Sequence, residues 1–165
     1  MGRAPLMHQS SRRSLFSFLF VLLAVLICAP PQMSAHEPPN TVALQELVNG
    51  VKAELGVEVA VSAEIVTTNS LLVSVEPVDG APGKFRMEFE EGFLPSLERD
   101  ELRAIIAHEL GHVWIFTHHP YLQTERLANT VAMRAVPRAS LERVYSKVWE
   151  HQGTKGDLTR FLGPE

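Results

Sequence analysis

The sequence predicts an α+β domain: an N-terminal helix, a three-stranded and mainly antiparallel sheet, then a histidine-bearing helix and two further helices. Three observations carry this reading. The hydrophobic period is helical before residue 56, twofold from 57 to 90, and helical again from about residue 96. The links between apolar stretches are short and rich in turn residues. The chain has 165 residues, 45% of them hydrophobic and 21% charged, which suits one globular domain.

Each element follows in order. His36 to Asn40 is a proline-rich lead-in. Leu44, Leu47, Val48, Val51 and Leu55 recur at helical spacing over 41–55, and Gly56 is a natural stop. Val57, Val59, Val61, Ala63 and Ile65 alternate with Glu58, Ser62 and Glu64 as a half-buried strand. The TTNS turn leads to Leu71, Val73 and Val75, a second strand. After the PVDGAPG loop, Phe85, Met87 and Phe89 alternate with charged residues in a third. Short links favour an antiparallel meander. Leu102, Ile105, Ile106, Leu110 and Val113 then form one helical stripe, which should end before Pro120. A helix over about 121–136 points Leu122, Ala128, Val131, Ala132 and Ala135 inward, and Pro137 closes it. Leu141, Val144, Tyr145, Val148 and Trp149 mark the last helix, and 153–165 reads as a loose tail.

Residues 1–35 read as a signal peptide. Arg3, Arg12 and Arg13 form a positive start without any acid, followed by the apolar run LFSFLFVLLAVLICA at 15–29. That run is short for a membrane span, which needs about 20 residues. The expected locale is therefore periplasmic or secreted, and an anchor retained at 15–29 is the alternative. Residues 36–152 form the single domain. Removing 1–35 leaves 12 basic residues against 19 acids, which excludes an electrostatic nucleic-acid binder. Cys28 is the only cysteine, so a disulfide framework and a cysteine-rich metal site are both excluded.

The stretch HELGHVWIFTHHP, residues 108–120, holds four of the chain's seven histidines. His108 and His112 frame an H-E-x-x-H motif. On a helix, residues four apart lie about 40° apart around the axis, so both imidazoles reach one ion. Imidazole nitrogen suits zinc, and one zinc ion is the expected cofactor. Glu109 reaches a metal-activated water without ligating, placed as general base for hydrolysis.

A catalytic zinc needs a third protein ligand. His118 has the spacing of the metzincin pattern, but that pattern needs glycine where this chain has Ile115, and a β-branched residue resists positive φ. A continuing helix would carry His118 about 9 Å along the axis from His112. Glu125 is the better candidate, brought over the histidines by an antiparallel helix pair. Asn129, one turn later, is placed to hold a ligand histidine through its other ring nitrogen. An oxyanion stabiliser is also required. His118, His119 and Tyr121 are candidates, as are Tyr145 and His151, and spacing selects none of them. The third strand, Lys84–Glu90, is a candidate edge for pairing with an extended peptide.

At EFEEGFLPSLERDELRAIIAHELGHVW and ERLAN the chain resembles the gluzincin metallopeptidases, above all the group of HtpX-like and CAAX-prenyl endopeptidases, with ImmA-like peptidases as near neighbours. The likeness covers about residues 84–135. It implies a zincin-like fold, zinc ligands His108, His112 and Glu125, Glu109 as base, and a peptide or protein substrate. Asn129 stands where that group usually has aspartate. Membrane contact is expected only if the N-terminal segment is retained. The rival functions are a non-catalytic exported metal binder, with His36 as a chelating N-terminus, and a degenerate peptidase fold used for interaction.

Overall fold

The computed structural model describes residues 39–164; the expected signal peptide, its alternative as an anchor, and His36 lie outside the described residues. Helix α1 (Thr41–Leu55) starts at Asn40, whose side chain accepts from Ala43 N at 3.0 Å. It ends at Gly56, where φ is 68°, a value that glycine adopts without strain. Its buried stripe is Leu44, Val48, Val51 and Leu55.

Strands β1 (Ala60–Val66), β2 (Val73–Pro77) and β3 (Lys84–Glu90) form one sheet in the order β1-β3-β2. The α+β class stands, but the expected meander does not. β3 pairs parallel to β1, with Ala63 opposite Met87, and antiparallel to β2, with Val75 opposite Met87. The strand with the largest apolar side chains takes the centre: Phe85, Met87 and Phe89 are all buried. Pro77, which has no N–H to give, ends a strand at the edge. The third strand therefore has no free edge, and the edge that was expected there belongs to β2.

The start of β2 also differs from expectation. Leu71 is 64% exposed and Leu72 is the buried residue. Asn69 Oδ1 accepts from Leu71 N at 2.9 Å and Asn69 O accepts from Leu72 N at 2.9 Å, a tight turn that throws Leu72 to a φ of 66°. That turn puts Leu72 rather than Leu71 in the core, while Val73 and Val75 keep their inward positions. A leucine held there costs on the order of 1–3 kcal/mol.

Helix α2 (Arg99–His118) lays Leu102, Ile105, Ile106, Leu110 and Val113 into the core. The single helix expected at 121–136 is split. A 3₁₀ turn covers Pro120–Leu122, and α3 runs Glu125–Ala132. Thr124 causes the break, because its side chain accepts from Leu127 N and caps a new helix there. Leu122 is consequently exposed. Pro137 caps the start of α4 (Arg138–Gln152).

Residues 153–164 are more than a loose tail. They carry α5 (Leu158–Leu162), in which Leu162 is buried. Phe161 packs on Tyr145, with ring centroids 5.0 Å apart. Arg138 holds the segment by donating to Leu162 O at 2.8 Å and Gly163 O at 2.9 Å. No helix among the described residues is long and apolar enough to cross a membrane.

Candidate metal centre

Helix α2 supplies His108, Glu109 and His112 from successive turns, and α3 supplies Glu125 from its first position. The two helices approach closely because residue 111 is glycine. A Cβ there would lie 2.4 Å from Ala128 O, closer than atoms can pack. The approach brings Glu125 Oε2 to 3.2 Å from His108 Nε2 and Glu125 Oε1 to 3.5 Å from His112 Nε2. One ligand atom from each of the three residues lies within 4.8 Å of the others.

The histidines are oriented through their other nitrogens. His108 Nδ1 is 2.8 Å from Asn129 Oδ1, and His112 Nδ1 is 3.2 Å from Gln123 Oε1. Asn129 is fully buried, and its Nδ2 donates to Tyr145 Oη at 2.8 Å and to Phe161 O at 3.1 Å. A backbone carbonyl only accepts, so Phe161 fixes which way the amide points. Asn129 Oδ1 must then accept from His108, which keeps the proton on Nδ1 and makes Nε2, the atom facing Glu125, the one available to ligate a metal. Two such Nε2 atoms with one carboxylate are a donor set that fits a divalent metal of the zinc type.

Charge in the site is shaped by burial and by these contacts. Burial pushes the Glu109 carboxyl above its ordinary value, opposed by His108 and His112 and by a backbone hydrogen bond from Val75. Hydrogen bonds from His108 and His112 hold Glu125 well below the usual carboxylate range. Burial works to lower His112, but its bond to Glu125 and the charge of Glu109 outweigh it and raise the ring. Burial pushes the Tyr145 hydroxyl up, so it stays a donor.

A cleft of about 530 Å³ opens over these groups. Its walls are mostly apolar: Val73, Val75 and Phe116 on one side, Leu141, Val144 and Val148 on the other.

His118, His119 and Tyr121 do not line it. Helix α2 runs straight through buried Ile115, as the β-branched residue favours, and carries His118 outward. There its ring stacks on Trp114 at 4.4 Å and its Nδ1 lies 2.8 Å from Trp114 O. His119 packs edge-on to the same tryptophan, and Tyr121 is 98% exposed. His151 packs against Phe93. Of the five candidate donors only Tyr145 faces the cleft. Gly111, Gln123 and the Phe161 carbonyl were missed from sequence. Only Gly111 carried a signal, as a small residue inside the motif.

A histidine pair on one helix, a carboxylate from the next and a buried glutamate beside them define a metal-dependent hydrolase site. The model of Peptidase family M48 matches residues 55–160, which include every one of these groups. The chain belongs to peptidase family M48 and is a metallopeptidase. Among solved structures it is similar to the metallopeptidase zymogen of Pyrococcus abyssi abylysin, at 17% identity and a TM-score of 0.49. That match covers 69% of this chain and 99% of that one. No curated protein matches the chain.

Proposed function

We propose that the chain is a zinc-dependent endopeptidase in which His108, His112 and Glu125 hold the ion and Glu109 is the general base. The observation that carries this is the convergence of two Nε2 atoms on Glu125, each imidazole being turned by a partner on its Nδ1. When bound, zinc supplies Lewis-acid polarisation of a carbonyl and acidification of water. Glu109 takes the proton of the attacking water as its oxygen bonds to the carbonyl carbon. It then delivers that proton to the amide nitrogen as the C–N bond breaks. Burial suits Glu109 to this exchange by weakening its hold on the ionised form.

The substrate lies along the free edge of β2. β2 and β3 are bonded at Leu72–Glu90 and Val78–Lys84, so by the two-residue period Val73 and Val75 turn their backbone groups outward, into the cleft wall. An extended peptide pairs there and places bulky apolar side chains in the cleft. Residues 1–35 direct export in this reading.

The test is metal content of residues 36–165 with hydrolysis of fluorescein-labelled casein. Near one zinc per chain, lost in Glu125→Ala, is expected. Glu109→Gln should keep the zinc and lose hydrolysis by about 10²-fold or more. Full activity in Glu109→Gln would remove it as the base.

A further inference from the structure

Tyr145 is the cleft residue packed against the ligand histidine His108 whose hydrogen bonding leaves a hydroxyl proton to offer. Its Oη accepts from Asn129 Nδ2 at 2.8 Å, and among the described residues that is its hydrogen bond. A phenol that accepts still carries its own O–H. The direction cannot be reversed, since the Phe161 carbonyl holds the same amide nitrogen as donor. The ring has little freedom to turn away. It sits edge-on to His108 at 6.1 Å and packs on Trp149 at 5.6 Å and Phe161 at 5.0 Å. It lines the same cleft as Glu109 and Glu125.

The geometry points to Tyr145 as a catalytic residue that donates its hydroxyl hydrogen to the substrate carbonyl oxygen as that oxygen gains charge, with Asn129 as the positioning residue that sets the direction of the donor. This rests on the peptidase reading above. A preorganised donor that strengthens only as charge develops contributes to kcat rather than to ground-state binding. An aspartate at 129 would reverse the arrangement. Its second oxygen would draw in the Tyr145 proton and face the Phe161 carbonyl without a hydrogen between them.

The experiment compares wild type, Tyr145→Phe, Asn129→Asp and the double variant, each loaded with zinc. Zinc content, casein hydrolysis and the affinity of a phosphinic Leu–Leu pseudopeptide, which mimics the tetrahedral state, are read for each. Tyr145→Phe should keep one zinc, lose about 10²-fold in kcat with little change in KM, and bind the phosphinic probe weaker by a similar factor. Asn129→Asp should weaken probe binding when Tyr145 is present and add little on top of Tyr145→Phe, a coupling that a loss of packing would not give. Probe affinity and kcat in Tyr145→Phe within about twofold of wild type would overturn the proposal alone, the scale being far below one lost donor. So would loss of zinc from Tyr145→Phe, which would make the residue structural. A wild type that binds neither zinc nor probe would overturn the peptidase reading as well.

Discussion

His112 Nδ1 lies 3.2 Å from Gln123 Oε1, and the same amide donates to the His112 carbonyl oxygen at 3.2 Å. The side chain therefore holds both the ring and the backbone that carries it. Gln123→Ala should leave the fold intact and weaken metal affinity about tenfold, the lower end for loss of a ligand's orienting partner. Competition against a chelator measures this, and unchanged affinity would mean that the helix alone orients His112. The same contrast explains what could be read in advance. His108, Glu109 and His112 are legible because one helix period decides their geometry. Glu125 and Asn129 were readable as a carboxylate and an amide one turn apart after a turn. Gln123 was not, because it lies on no regular element and its reach depends on the path of the 119–124 loop.

At the scale of elements, Gly111 sets two effects against each other. Helix propensity alone favours alanine over glycine by about 1 kcal/mol in a helix interior. Packing opposes it, because the new Cβ would fall 2.4 Å from a backbone oxygen of α3, which cannot yield as a flexible side chain would. Gly111→Ala should therefore destabilise the protein, by about 1–3 kcal/mol, and loosen metal binding as α3 is pushed off. A urea midpoint above wild type would show that propensity wins. Helix α2 is also tied to α4 through Asp100, which accepts from Ser140 Oγ at 3.0 Å and pairs with Arg143. The Ser140 bond, then Arg143, lowers the Asp100 pKa. A lowered carboxylate contributes stability above its ordinary value and loses it as pH falls through the folded one. Asp100→Asn should thus flatten the acid limb of a stability–pH curve, and parallel limbs would refute the tie. Element type was legible from periodicity, but strand order was not. Alternation tells which face is buried and is silent on which neighbour a strand takes. Here β3 enters between β1 and β2, and no local residue announces it.

Across the whole molecule, the two outer edges of the sheet are treated differently. The β1 edge is occupied by α1: Gln45 donates to Val61 O at 2.9 Å and accepts from Ala63 N at 2.8 Å, while Lys52 donates to Val59 O at 2.8 Å. The β2 edge is left beside the cleft, so an extended chain has one place to add. On the far side, residues 158–164 reach back to the metal centre. Arg138 grips the carbonyls of Leu162 and Gly163, and Phe161 O in turn fixes the Asn129 amide that orients His108. The chain of contact runs from a surface arginine to His108, a proposed metal ligand, through the segment that sequence alone presented as loose. Its apolar content, Leu158, Phe161 and Leu162, is too short to show a period, which is why it went unread. Arg138→Leu keeps the stem's bulk and removes the grip. It should lower the thermal midpoint and weaken zinc affinity several-fold, up to about tenfold, with His108 less firmly held. Arg160→Leu on the exposed face of α5 should do neither. Equal zinc affinity in both variants, with only Arg138→Leu destabilised, would confine the segment to a structural role.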